Sequence, residues 1–166
     1  MTGNKATRSG GAIFADFGAL YLDDCLVANN TADEAAGIYN FEGTLIEEPT
    51  QRTTLWMRNT TFTNNSVSGA TGEGGAREGG AIKSYLGYVV GINCTIAGNQ
   101  CPTLGGGIRG VGCNLCLTNC IIAGNKANSP GNDNISIKGK FEGANNYIGP
   151  NPSLASDAQG APATGK

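Results

Sequence analysis

A chain of 166 residues suits one domain, and its net charge of −2, with no basic cluster, excludes an electrostatic footprint for nucleic acid or anionic lipid. Histidine is absent, which removes the commonest general base and the commonest metal ligand. Gly accounts for 27 residues, well above the ordinary ~7%, and charged residues for only 14%, where ~25% is usual.

The N-terminal "MTGNKATRSG" has no apolar stretch after it and does not read as a signal peptide. From there the chain repeats itself. "GGAIF" (10–14) leads through Leu20 and Leu22 to "DCLVANN", which ends at Asn30. "AGIYN" (36–40) leads through Leu55 and Met57 to "NTTFTNN", which ends at Asn65. "GGAIK" (79–83) leads through Val89 and Gly91 to "NCTIAGN" at Asn99. "GGGIR" (105–109) leads through Leu115 and Leu117 to "NCIIAGN" at Asn125. "NISIKGKFEGANN" reads as a partial fifth copy, and residues 151–166 as a loose tail. Ile13 and Ile38 are 25 residues apart, and Ile82 and Ile108 are 26 apart. The middle interval is longer because of two polar insertions, 41–52 and 66–78, which read as loops.

Within each copy the apolar residues are spaced by two, the period of a strand. No segment carries a sustained helical stripe. No window approaches the ~20 apolar residues of a membrane span, so no membrane insertion is expected in this segment. A coil of about 25 residues holds roughly three short strands with turns between them. Successive coils then pair in parallel, with right-handed crossovers. The predicted fold is all-β, a right-handed parallel β-helix of about four to five coils over residues 9–150.

In such a solenoid like stacks on like. Cys25, Thr60, Cys94 and Cys120 form a small inward column, and Val27, Phe62, Ile96 and Ile122 a large one. Asn30, Asn65, Asn99 and Asn125 form a structural ladder at a corner, where Asn tolerates left-handed geometry and offers both a donor and an acceptor. The Gly pairs serve another corner, where a Cβ is excluded.

"SGGAI…LDDCLVANNTA" and "LTNCIIAGN" resemble the GGA(I/L) and FxxN repeats of chlamydial-type polymorphic outer-membrane proteins, the FxxN form being matched by "FTNN" at 62–65. They are also similar to bacterial secreted β-helix proteins with GGGI…LTN repeats, in which a segment like "GANNYIGPNPSL" (143–154) commonly follows the last coil. The resemblance covers roughly residues 9–154. It implies an exported or surface protein, extracellular in location, and this chain as a piece or a small member of such proteins.

Candidate chemistry is sparse. Cys101 and Cys113 are a candidate disulfide closing the last turn. "CNLC" (113–116) is a lone CxxC without a second pair or a His, so no metal and no cofactor are expected. The carboxylates Asp16, Asp23, Asp24, Glu47 and Glu48 form no convergent acid–base set. Asp23 is expected to face Arg58 as an exposed cross-strand pair, and Asp24 to share a turn column with Asn59, Asn93 and Asn119. The loops are the better place for binding: Tyr39, Phe41, Glu47, Glu48, Arg52, Glu73, Arg77 and Glu78, with Tyr85 and Tyr88 nearby. The expected role is a non-enzymatic solenoid for adhesion, matrix or filament assembly. Its partners are itself, through end-to-end stacking, or a glycan or host surface. The other expectation is a carbohydrate-binding or carbohydrate-active β-helix.

Overall fold

Spacing by two sends every second side chain to one side of a strand, and a chain that returns every 25 residues brings those sides together around one interior. The computed structural model describes residues 1–43, 53–68, 76–129 and 131–150, with the backbone of 153–154. It is a parallel β-helix with no helical segment among the described residues. The first coil holds β1 (Ile13–Asp16), β2 (Ala19–Asp23), β3 (Leu26–Ala28) and β4 (Thr31–Ala32). The second holds β5 (Ile38–Phe41), β6 (Thr54–Arg58), β7 (Thr61–Thr63) and β8 (Ser66–Val67). The third holds β9 (Ile82–Tyr85), β10 (Tyr88–Ile92), β11 (Thr95–Ala97) and β12 (Gln100–Cys101). In the fourth, β13 (Ile108–Thr118) runs through the first corner without a break and is followed by β14 (Ile121–Ala123) and β15 (Lys126–Ala127). The fifth holds β16 (Ile135–Ala144) and β17 (Tyr147–Ile148), and β18 (Ser153–Leu154) pairs back onto β16.

Among the described residues all strand pairs are parallel, and the expected columns are in register. Ile13, Ile38, Ile82, Ile108 and Ile135 stack, as do Leu20, Leu55, Val89, Leu115 and Phe141. Val27, Phe62, Ile96, Ile122 and Ile148 form the opposite wall. Nearly all of these side chains are buried in one continuous core. Residues 1–8, outside the expected 9–150 unit, also follow the coil: Thr2 bridges to Ala28, Lys5 to Thr31 and, just after them, Ser9 to Glu34.

The corner chemistry differs in one respect from the sequence reading. The left-handed residue is not the ladder asparagine but the exposed one before it: Asn29 (φ 57°), Asn64 (54°), Gly98 (69°) and Gly124 (64°). That residue makes the bend, which frees the next side chain to turn inward. Asn30 Nδ2 donates to Asn65 Oδ1 at 2.8 Å, Asn65 Nδ2 to Asn99 Oδ1 at 2.8 Å, and Asn99 Nδ2 to Asn125 Oδ1 at 2.9 Å. Asn4 donates into the ladder at one end, and Asn125 donates to Asn134 at the other. Each Oδ1 also accepts the backbone N–H of the Asn that donates to it, which satisfies a buried bend that no sheet reaches. A second bend, at Asp24, Asn59, Asn93, Asn119 and Asn145, is left-handed throughout, at the expected turn column.

The Gly pairs hold the third corner. Gly79 has φ 72°, and a Cβ on Gly80 would lie 2.1 Å from the carbonyl oxygen of Gly106 in the next coil. Gly80→Ala must therefore push two coils apart. It is expected to cost at least about 1–3 kcal/mol, read as a lower urea midpoint by far-UV circular dichroism.

Candidate functional site

The outward side chains of β1, β5, β9 and the first halves of β13 and β16 make one face. Phe14, Tyr39, Lys83, Arg109 and Ser136 occupy one column of it, and Asp16, Phe41, Tyr85 and Val111 the next. The aromatic members pack on one another. Phe14 meets Tyr39 edge-on at 5.4 Å between centroids, Tyr39 meets Phe41 at 5.5 Å, and Phe41 stacks on Tyr85 at 5.7 Å. Tyr39 and Phe41, expected as loop contacts, are thus strand residues, and Tyr39 is buried.

The neighbouring charges are buried as well. Lys83 and Arg109 are each only 5% exposed, and Glu78 8%. Lys83 Nζ pairs with Glu34 and lies 3.0 Å from Glu78 Oε2, while Arg109 Nε lies 3.2 Å from Glu78 Oε1. Lys83 also sits over the Tyr39 ring at 5.5 Å. Burial, together with the Glu34 and Glu78 charges, pushes the Tyr39 phenol up from its ordinary range. The sequence reading found no convergent set of charges. The structure brings four together, because Glu34 and Glu78 occupy turns of successive coils and Lys83 and Arg109 successive strands. The two carboxylates and two cations are engaged with each other. Chemically this arrangement clamps the turns at 34 and 78 onto the sheet, so Glu78 ends the insertion as an anchor rather than a free contact. Arg77, beside it, is half-buried, with φ 46°. Glu47, Glu48, Arg52 and Glu73 lie outside the described residues.

A different face is formed by β2, β6, β10 and the second halves of β13 and β16. Its outward columns carry Tyr21, Trp56, Val90 and Cys116, and alongside them Asp23, Arg58, Ile92 and Thr118. Asp23 and Arg58 are paired as expected: Arg58 Nε donates to Asp23 Oδ1 at 2.8 Å, and Nη2 donates to Oδ2. That guanidinium holds the Asp23 carboxyl below the usual carboxylate range. Tyr21 and Trp56 were not singled out in the sequence. The available signal was a large aromatic residue at the same outward position of two successive coils, between the inward Leu20/Leu22 and Leu55/Met57. A third surface, over β8, β12 and β15, holds an open groove of about 260 Å³ lined by Ser66, Gln100, Lys126 and Asn128, in which Gln100 Nε2 donates to Ser66 Oγ at 2.9 Å.

All six cysteines are free thiols. The expected Cys101–Cys113 disulfide is absent, because the two residues belong to different cores. Cys101 packs in a satellite cluster with Ala36, Val67 and Ala127, while Cys113 lies in the main interior. Cys94 and Cys120 are buried in their expected column, and Cys25 is half-buried at its outer end. Hydrogen bonding to Cys94, reinforced by burial, keeps the Cys120 thiol protonated. Burial pushes both Cys101 and Cys113 up to about 11. Unfolding returns them to the usual value near 8.5. Above that pH the unfolded chain loses these protons first. The stabilisation is therefore complete below about pH 8.5 and is lost as the pH rises toward 11. Urea midpoints measured under reducing conditions at about pH 8 and pH 10.5 are expected to fall by the equivalent of about 2 kcal/mol per thiol. A C101V/C113V variant should show a flatter profile.

Residues 1–16 match the model of the Chlamydia polymorphic membrane protein repeat. The match takes in the first Gly-Gly-Ala-Ile and ends with β1, so the resemblance read from the motifs holds over that span. Neither a curated protein nor a solved structure matches the chain.

Proposed function

We propose that this chain is a surface-exposed β-solenoid that acts in adhesion without enzymatic turnover. One observation carries the reading: large aromatic side chains, among them Tyr21, Trp56 and Tyr147, stand exposed at outward strand positions. The core is complete without them, and exposed aromatic surface on rigid strands marks a place where something binds. The polymorphic-membrane-protein-type repeat at residues 1–16 supports a cell-surface location. The mutual pairing of Glu34, Glu78, Lys83 and Arg109 supports a structural use of the main charge cluster.

Beads coated with the purified chain are expected to adhere to cultured epithelial cells several-fold more than albumin-coated beads. Equal adhesion would overturn the reading. Release of reducing ends from a polysaccharide panel would overturn its non-enzymatic part.

A further inference from the structure

The face formed by β2, β6 and β10 carries a pair of aromatic rings that neither the core nor the charge cluster uses. Tyr21 and Trp56 are partners in the parallel register, so their side chains leave one face on adjacent strands about 4.8 Å apart. Tyr21 is 70% exposed and Trp56 42%. Among the described residues neither ring packs against another; the ring contacts belong to the Phe14, Tyr39, Phe41 and Tyr85 group.

Polar groups border these rings in order. Asp23 and Arg58 hold each other in a bidentate pair, which fixes both side chains and leaves lone pairs and N–H groups unused. One residue further on, Asn59 Nδ2 donates to Asp24 Oδ1 at 3.0 Å and Asn93 Nδ2 to Asn59 Oδ1 at 3.3 Å, an exposed row that repeats with each coil. The Asp23 and Arg58 charges cancel. The face therefore combines flat apolar rings, immobilised planar hydrogen-bonding groups beside them and little net charge.

We propose that this face binds a neutral glycan, with pyranose C–H faces laid on Tyr21 and Trp56 and hydroxyls bonded to Asp23, Arg58 and the Asx row. The inference rests on the adhesion reading above and names its ligand class. Three features favour sugar over other ligands. A pyranose has an apolar face and a polar rim, as this surface has. The cancelled charges give no attraction to a polyanion. The apolar area of two rings falls far short of the ~800 Å² per partner that a stable protein interface buries. Groups repeated at the inter-coil spacing also suit a polymer of repeated units.

Trp56 is the sole tryptophan, so its emission reports on this face alone. The full chain would be titrated with cellohexaose, chitohexaose and mannohexaose to about 10 mM, well above a millimolar Kd. At least one is expected to shift Trp56 emission saturably and to protect it from acrylamide quenching, a readout that needs no variant. Tyr21→Ala should weaken that binding about tenfold, whereas Phe14→Ala, on the other aromatic face, should not, with circular dichroism confirming both folds. No response to any of the three sugars, equal weakening by Phe14→Ala, or an emission change that follows protein concentration alone would overturn the proposal. The last result would mean that a second copy covers the face. Beads coated with a Y21A/W56A variant separate the two readings. Undiminished cell adhesion would overturn the glycan face and leave adhesion standing. A positive sugar titration with no adhesion by the unaltered chain would do the reverse.

Discussion

Replacing Glu78 with alanine is expected to cost about 3–5 kcal/mol of folding stability, the range for removing one partner of a buried ion pair. Glu78 is the hinge of the charge cluster, with one carboxylate oxygen facing Lys83 and the other Arg109. Both cations are buried, so neither can recover its hydration when the carboxylate goes. Lys83 keeps Glu34, but among the described residues Arg109 keeps only Gly110 and Ser136 oxygens, at 3.2–3.5 Å. Glu34→Ala should therefore cost less, since Glu78 still bridges both cations. Glu78→Gln should fall between the two, because the amide restores hydrogen bonding but not charge. Urea unfolding monitored by circular dichroism ranks the three. Salt should restore little of the loss, because a buried pair is weakly screened. If the clamp is the only role of the cluster, replacing all four residues with apolar side chains of similar volume should recover much of the stability.

Asn99→Ala is expected to be comparably severe, because it breaks the buried ladder in the middle. Asn99 Oδ1 accepts from the backbone N–H of Asn65 at 3.0 Å and from its Nδ2 at 2.8 Å. Its own Nδ2 donates to Asn125 Oδ1 and to the Phe62 carbonyl at 3.1 Å. Truncation strands several buried groups at once, each worth about 1–3 kcal/mol, so a loss of about 3–5 kcal/mol is expected after partial relaxation. Asn4→Ala, at the exposed end of the same ladder, should cost less than about 1 kcal/mol. N99D tests the donor separately. It sets a carboxylate against Asn125 Oδ1, so its defect should ease as the pH falls and the acid regains a proton to donate. Urea midpoints at about pH 4.5 and pH 7 check the sign against the unaltered chain.

Both effects bear on what was legible beforehand. The ladder asparagines announce themselves by recurring at each coil, and their column was correctly placed. Their conformation is less plain: Asn29 and Asn64 are as polar as the ladder residues beside them, and only Gly98 and Gly124 in the later coils mark the preceding position as the left-handed one. The charge cluster was missed for a different reason. Lys83 and Arg109 do share a column, and Glu34 and Glu78 each stand four residues before a stacked Ile, but one pair lies on strands and the other on turns, and sequence alone does not show that these two columns meet. They meet because each turn carboxylate reaches the strand of the next coil: Glu34 reaches Lys83, and Glu78 reaches Arg109 as well as Lys83. Cys101 and Cys113 show the opposite error. They are close in sequence, but the wall of β13 leaves them in separate cores.

By itself, then, the sequence determined the architecture. A period of about 25 residues, apolar spacing by two and recurring Gly and Asn corners admit one solution, because any slip of register would turn the core outward. What only the tertiary structure decided is the surface: which charges are buried together, which thiols stay apart and which rings remain free. Inward positions obey a repeating constraint, since each must match the residue stacked above it. Outward strand positions obey a weaker one, so their neighbours are set largely by where each coil brings them, and Tyr21 beside Trp56 becomes a site only once the strands are laid side by side.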